Sequence, residues 1–191
     1  LNPYHRVSPP FSMRVVEIYE EAAFPQLVLE SKKQFATDYG LETEYWNRFA
    51  VEESPEVVGF LKVNLKDLAN HYHALYQEEE LAEEKPSNFA EASRWYQEFL
   101  ASFPGDDDTP QINYQLADLL LEDGDFGAAA REYERTAYDY DPHGQDSAAG
   151  YAAARRRAGD DHSSSDGYDQ SPESERGGVL RPPPTNIRRN G

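Results

Sequence analysis

The chain has 191 residues, no cysteine and a formal net charge of -18 at neutral pH. Without a thiol it can form neither a disulfide bond nor a cysteine-based zinc site. The charge is uneven: residues 155–191 hold seven Arg and six Asp or Glu, so residues 1–154 carry 11 basic and 30 acidic side chains. Such a surface repels phosphate groups, which argues against nucleic acid and anionic membrane surfaces as partners. It either keeps the protein soluble or attracts basic proteins and cations.

The sequence contains no run of 18 apolar residues, and its start lacks the basic and then apolar pattern of a signal peptide. We therefore predict no direct membrane insertion. The chain also begins at Leu1 rather than at an initiator methionine. We interpret it as part of a longer polypeptide or as a processed product, which leaves the compartment of the parent protein open.

Residues 1–53 are predicted to hold an N-terminal helical pair. The proline-rich residues 1–11 are expected to be extended, with a first helix starting at the capping candidate Ser12 and ending near Glu21. A second helix is predicted from Pro25 to Tyr39. After it, a short aromatic segment is expected to plug the seam between these helices and the rest of the chain with the side chains of Tyr45, Trp46 and Phe49.

Ser54 and Pro55 form a strong helix start, because serine can cap a helix and proline suits its first turn. The apolar pattern that follows predicts about five turns of helix. The acidic run 78–84 is expected to extend this helix into solvent. A partner helix is predicted to begin at Ser87 or Asn88 and to end near Phe103.

The region from Pro110 to Pro142 has the clearest pattern, namely two amphipathic helices joined by a tight turn. Thr109 is predicted to cap the first helix, Gly124 to end it in the left-handed conformation, and Asp125 to cap the second. The contact between the two helices is expected to involve Ala117 facing Ala129 and Ala130, with Tyr133 and Phe126 filling the groove beside them.

This order of large, small and aromatic residues resembles the tetratricopeptide repeat, a helix pair with a period of 34 residues. The matching positions are Leu116, Ala117, Phe126, Ala129, Tyr133 and Pro142. The preceding helix carries the same pattern 37 residues earlier, at Phe89, Ala92 and Tyr96. The resemblance implies an all-α fold of antiparallel helix pairs stacked as a short solenoid. We assign it to residues 54–154 and interpret the pair in 1–53 as a degenerate repeat.

The end of the chain departs from this pattern. After Pro142 another first helix is predicted, with Ala148, Ala149, Tyr151, Ala152 and Ala153 as its inward candidates, but no partner helix follows. Residues 155–191 are instead rich in Gly, Ser, Pro and charge, which predicts a disordered tail. One hypothesis is that the reading frame departs from the ancestral sequence near Ala154.

No pattern predicts catalysis, so we expect a protein that is not an enzyme and needs no cofactor. His71 and His73 are two residues apart, which on a helix points them in different directions rather than at one metal ion. The run 106–108 lacks the alternating ligands of a calcium loop and is explained as acid before a helix start. No glycine-rich phosphate loop is present.

The resemblance implies that the first helices of the repeats line a concave face that binds a partner protein or peptide. The corresponding positions are Val63, Lys66, Asn70, His73, Gln111, Tyr114, Asp118 and Leu121. The alternative interpretation is that these residues are ordinary solvent-exposed helix surface with no binding role. Lys66 and Asn70 match positions that grip a C-terminal carboxylate in certain co-chaperones. The other donors are absent here, since Gln115 and Asp146 take their places, and Asp118 adds repulsion.

The predicted function is therefore a protein-binding scaffold. The alternatives are an accessory module of a larger enzyme whose catalytic domain lies outside this chain, or a structural spacer between domains. The segment YERTAYDYDPH, residues 133–143 at the end of this repeat, resembles segments of bacterial cell-envelope proteins in which such repeats serve assembly or secretion. That similarity implies a periplasmic or envelope location, with the cytoplasm as the alternative.

Overall fold

The computed structural model describes residues 4–140 and 148–154. All regular elements in these residues are helices, so the described part of the chain is all-α, as the sequence predicts. The α-helices are α1 (Ser8–Glu21), α2 (Pro25–Tyr39), α3 (Pro55–Gln77), α4 (Lys85–Ser102), α5 (Thr109–Asp123) and α6 (Phe126–Tyr138). The segment 148–154 is also helical. Two 3₁₀ turns occur at Val51–Glu53 and Glu79–Leu81. The predicted tail at 155–191 lies outside the described residues.

Each α-helix packs against the next one in the chain, from α1 through to α6. Side-chain hydrogen bonds show how α5 and α6 run relative to each other. Asn113 near the start of α5 donates to Thr136 near the end of α6, and Tyr133 in the middle of α6 donates to Asp118 in the middle of α5. The two helices are therefore antiparallel, which their two-residue connection also requires.

One large apolar core runs from α2 through α3 and α4 into α5, and its most buried members include Phe35, Leu61, Leu65, Trp95 and Phe99. A second, smaller cluster joins α5, α6 and the segment 148–154 through small side chains, and it consists of Ala117, Ala129, Tyr133, Ala149 and Ala153. The larger core is continuous across residue 53, so the N-terminal helical pair shares its interior with the helices that follow.

The connection between α5 and α6 forms as the sequence predicts. Gly124 adopts the left-handed conformation with φ of 88°, and its N–H donates to the carbonyls of Leu120 and Leu121. The carboxylate of Asp125 then accepts a hydrogen bond of 2.9 Å from the N–H of Ala128. Gly124 ends one helix and Asp125 caps the next, because each satisfies backbone groups that a helix end leaves unpaired.

Helix α1 begins at Ser8, so the prediction of an extended segment is wrong for residues 8–11. Pro9 and Pro10 lie in its first turn, and Ser12 lies inside the helix rather than at its start. The first N–H groups of a helix have no intrahelical acceptor, so proline removes no hydrogen bond there and its fixed φ suits the turn.

Helix α3 ends at Gln77 and the next α-helix begins at Lys85, so the acidic run 78–84 does not extend α3 as predicted. Carboxylates at the C-terminal end of a helix oppose its dipole, which disfavours continuation through this run. The predicted start of α4 at Ser87 or Asn88 is too late, because Lys85 and Pro86 occupy its first turn.

Two predicted caps and one predicted packing residue are also wrong. Neither Ser54 nor Thr109 caps a helix with its side chain. The hydroxyl of Thr109 donates instead to the carbonyl of Phe103. Phe126 is 46% exposed, whereas Tyr133 is only 2% exposed. Phe126 is the first residue of α6, so its ring lies at the end of the helix pair, whereas Tyr133 packs in the buried contact between α5 and α6.

The aromatic segment between α2 and α3 packs as predicted. Tyr45 is 1% exposed and its ring meets that of Tyr39 edge to face, with 5.1 Å between centroids. Trp46 donates its indole N–H to the carbonyl of Tyr39 at 2.9 Å, and Phe49 packs against Tyr45. These rings cover the end of α2 and join it to the large core.

Candidate functional site

Three of the predicted groove residues lie together in a cleft between α3 and α5, which we call the polar cleft. Its volume is about 270 Å³, and it is lined by the predicted residues Asn70, His73 and Asp118. The spacing of Asn70 and His73 places them on one face of α3, because residues three apart on a helix are neighbours.

The sequence prediction missed four residues of the polar cleft, namely Ala74, Gln77, Tyr96 and Glu122, and it named Gln115 only as a replacement for a missing clamp donor. Two of them lie one turn beyond a predicted residue, since Gln77 follows His73 by four positions and Glu122 follows Asp118 by four. That spacing could have identified them. Tyr96 occupies the aromatic position of the repeat pattern, which favours a packing role, and its hydroxyl group reaches the cleft from α4.

A chain of hydrogen bonds crosses the floor of the polar cleft. The hydroxyl of Tyr96 donates to Asn70 Oδ1 at 3.1 Å and lies 3.0 Å from His73 Nδ1. His73 Nε2 is 3.3 Å from Glu122 Oε2, and Gln77 donates to Glu122 Oε1 at 2.8 Å. These hydrogen bonds link α3, α4 and α5, so the positions of the bonded side chains depend on all three helices.

The ionisable groups of the polar cleft make it acidic and keep the hydroxyl group of Tyr96 protonated. Burial raises the pKa of Tyr96 well above its ordinary value, and the nearby carboxylates of Asp118 and Glu122 raise it further. Burial also raises the pKa of Asp118, an effect that the hydrogen bond from Tyr133 opposes. The cleft contains the acidic side chains of Asp118 and Glu122 together with amide oxygens, which are the kinds of group that bind an ammonium or guanidinium group.

Lys66 lies outside the polar cleft and belongs to an ion-pair cluster that ties α3 to the loop before α5. Its Nζ atom is 2.7 Å from Asp108 Oδ2, while Lys62 contacts Asp106 at 2.6 Å and Asp108 at 3.4 Å. The hydrogen bond from Lys66 lowers the pKa of Asp108. A partner carboxylate would have to displace Asp108, so a carboxylate clamp at Lys66 has no support here.

The other predicted groove residues also lie outside the polar cleft. Tyr114 packs its ring against Tyr133 with 5.3 Å between centroids, and Leu121 is partly buried against the same small cluster. Gln111 and Val63 are exposed, Val63 to 51%. The structure thus brings three of the predicted residues together and distributes the rest over packing, ion pairing and solvent.

Asp118→Asn should raise the free energy of unfolding at pH 7 by up to about 1 kcal/mol, a small gain because solvent partly screens the group. A carboxyl group whose pKa is raised by folding destabilises the native state when it is ionised. The gain should disappear as the pH falls through that raised pKa, where the wild-type group becomes neutral. Urea unfolding from pH 7 to pH 3.5 measures it. The exposed Asp107→Asn serves as the control, and an equal gain in both variants would contradict the assignment.

The described residues show neither a metal-binding cluster nor a membrane-spanning helix. Within residues 4–140 and 148–154, no three His, Cys, Asp or Glu side chains group closely enough to hold a metal ion. No helix in this described part combines the length and apolar character that a membrane span needs. The chain matches no protein-family model, and no curated protein sequence or solved structure gives a significant match to it.

Proposed function

We propose that this chain is a non-enzymatic scaffold whose helix pairs stack as a short solenoid of the tetratricopeptide type and bind a basic segment of a partner protein in the polar cleft. The observation that carries the proposal is the meeting of Asn70, His73 and Asp118 with Glu122 in one cleft. Three of these four positions follow from the repeat resemblance alone.

The proposed stacking is supported by the order of the helix contacts. Each helix packs mainly on its sequence neighbours, which is the contact pattern of a repeat array. The small residues Ala117 and Ala129 are fully buried where two paired helices meet, and Ala149 continues this cluster into the segment 148–154. In an array of this kind the first helices, here α1, α3 and α5, share one face.

The proposed partner chemistry is supported by charge. The polar cleft contains Asp118 and Glu122, and residues 1–154 carry 30 acidic against 11 basic side chains. Such a field attracts a positively charged segment over a distance, and the carboxylates then accept its hydrogen bonds. A carboxylate-bearing segment meets repulsion at the same place.

Fluorescence polarisation with labelled peptides tests the proposal. A short glycine-serine peptide that contains lysine should bind the full chain, while the matched peptides with glutamate or serine should not. Glu122→Gln should weaken lysine-peptide binding about fivefold, the change expected from losing one exposed ion pair of about 1 kcal/mol.

The matched control is Glu30→Gln, which removes the same charge from an exposed position on α2. Equal weakening by both substitutions would show that only the overall charge attracts the peptide, and it would contradict a site in the polar cleft. Failure of the lysine peptide to bind the wild-type chain would also overturn the proposal and favour a spacer function.

A further inference from the structure

A larger cavity, of about 710 Å³, lies between α3 and the α1–α2 pair, and we call it the apolar pocket. Its wall is mainly apolar, and its lining includes Tyr19, Phe24, Val28, Leu29 and Leu68. Its volume lies within the range of roughly 300 to 1,000 Å³ that is typical of ligand sites, which are likewise mostly apolar with a few polar groups.

One end of the apolar pocket is the turn between α1 and α2. Ala23 has a φ of 56°, a left-handed conformation that residues with a side chain rarely adopt. Two backbone hydrogen bonds hold the turn, from Ala23 N–H to Glu20 at 3.1 Å and from Phe24 N–H to Tyr19 at 3.0 Å. The turn leaves the ring of Phe24 54% exposed at the edge of the pocket. An exposed aromatic ring beside an apolar cavity is a surface that a partner can cover.

The polar edge of the apolar pocket is an ion-pair cluster. Lys32, whose side chain is only 13% exposed, lies 3.0 Å from Glu20 and 2.7 Å from Asp67. The two carboxylates are about half exposed, at 50% and 48%. Two negative charges therefore surround one buried positive charge, and the edge presents net negative charge to an incoming group. This negative edge favours binding of an apolar side chain that belongs to a basic segment, and it disfavours binding of an apolar side chain that belongs to an acidic segment.

Asn70 connects this pocket to the polar cleft, because it lines both. The two cavities thus lie on either side of the exposed face of α3. A helix with its side chains is about 10 Å across, and a peptide in the polyproline II conformation advances about 3.1 Å per residue and returns to the same side every three residues. A peptide that crosses α3 at Asn70 would therefore place side chains in both cavities when they are about three residues apart.

We propose that the apolar pocket binds a large apolar side chain of the same segment whose basic side chain enters the polar cleft. This inference rests on the proposed function and specifies its partner. The recognised feature is an extended segment with a leucine or aromatic residue about three positions from a lysine or arginine. The acidic edges of both cavities supply the charge complementarity, and the wall of the pocket supplies the apolar contact.

Fluorescence polarisation with two versions of the lysine peptide tests this inference. The leucine peptide carries leucine three positions from its lysine, and the alanine peptide carries alanine at the same position. The leucine peptide should bind the wild-type chain about tenfold more tightly, as expected for burial of one aliphatic side chain. Phe24→Ser should remove most of this advantage without changing the affinity for the alanine peptide. Val28→Trp, which fills the pocket, should likewise remove most of the leucine advantage and leave the affinity for the alanine peptide unchanged.

The control is Phe11→Ser, which removes an aromatic ring that is 60% exposed on α1 and does not line the pocket. Equal binding of both peptides to the wild-type chain, with the loss at Glu122→Gln retained, would overturn this inference and leave the proposed function standing. Leucine-dependent binding that responds to Phe24→Ser but not to Glu122→Gln would overturn the polar cleft instead. If neither peptide binds, both proposals are wrong.

Discussion

Leu65→Ala should lower the free energy of unfolding by about 3 to 5 kcal/mol, because it removes three carbons from the middle of the large core and leaves a cavity. Leu65 is fully buried in α3, where α2 and α4 pack against the same helix. A loss of this size is a large part of the roughly 5 to 15 kcal/mol that stabilises a typical domain. Urea unfolding followed by circular dichroism at 222 nm measures the change.

The control for this substitution is Leu27→Ala, the same truncation on α2 at a position that is 39% exposed. It should cost less than about 1 kcal/mol, since much of its side chain already contacts solvent. Similar losses at Leu65 and Leu27 would contradict the placement of the core in α3.

Ala129→Leu should destabilise the α5–α6 pair by about 1 to 3 kcal/mol or more, because a larger side chain cannot enter a contact that small residues keep close. Ala129 is fully buried and packs in the small cluster with Ala117 and Tyr133. Hydrogen exchange should show a greater loss of protection in α6 than in α3, since the small cluster is separate from the large core.

The same enlargement at Ala101, which is exposed on α4, provides the control. Ala101→Leu should change the free energy of unfolding by less than about 0.5 kcal/mol. A tolerated Ala129→Leu would show that the two helices do not depend on small residues at their contact. It would also remove the main packing argument for a tetratricopeptide-type pair.

The location of the candidate site was partly predictable. Asn70, His73 and Asp118 could be chosen because a repeat pattern assigns positions on a helix face before any tertiary contact is known. Tyr96 could not, since the same residue serves packing through its ring and the polar cleft through its hydroxyl. The position of Lys66 outside the cleft could not be predicted either, because its partner Asp108 is 42 residues away in the sequence. Whether a charged side chain is available to a ligand depends on such distant partners.

The sequence by itself determined the all-α class and the turn at Gly124 and Asp125, because these depend on local periodicity and on the backbone preferences of a few adjacent residues. It also determined the small-residue contact at Ala117 and Ala129. Only the tertiary structure decided which groove positions converge and that a second cavity opens beside Phe24. Cavities form where helices that are distant in the sequence fail to fill the space between them, and no local pattern records that space.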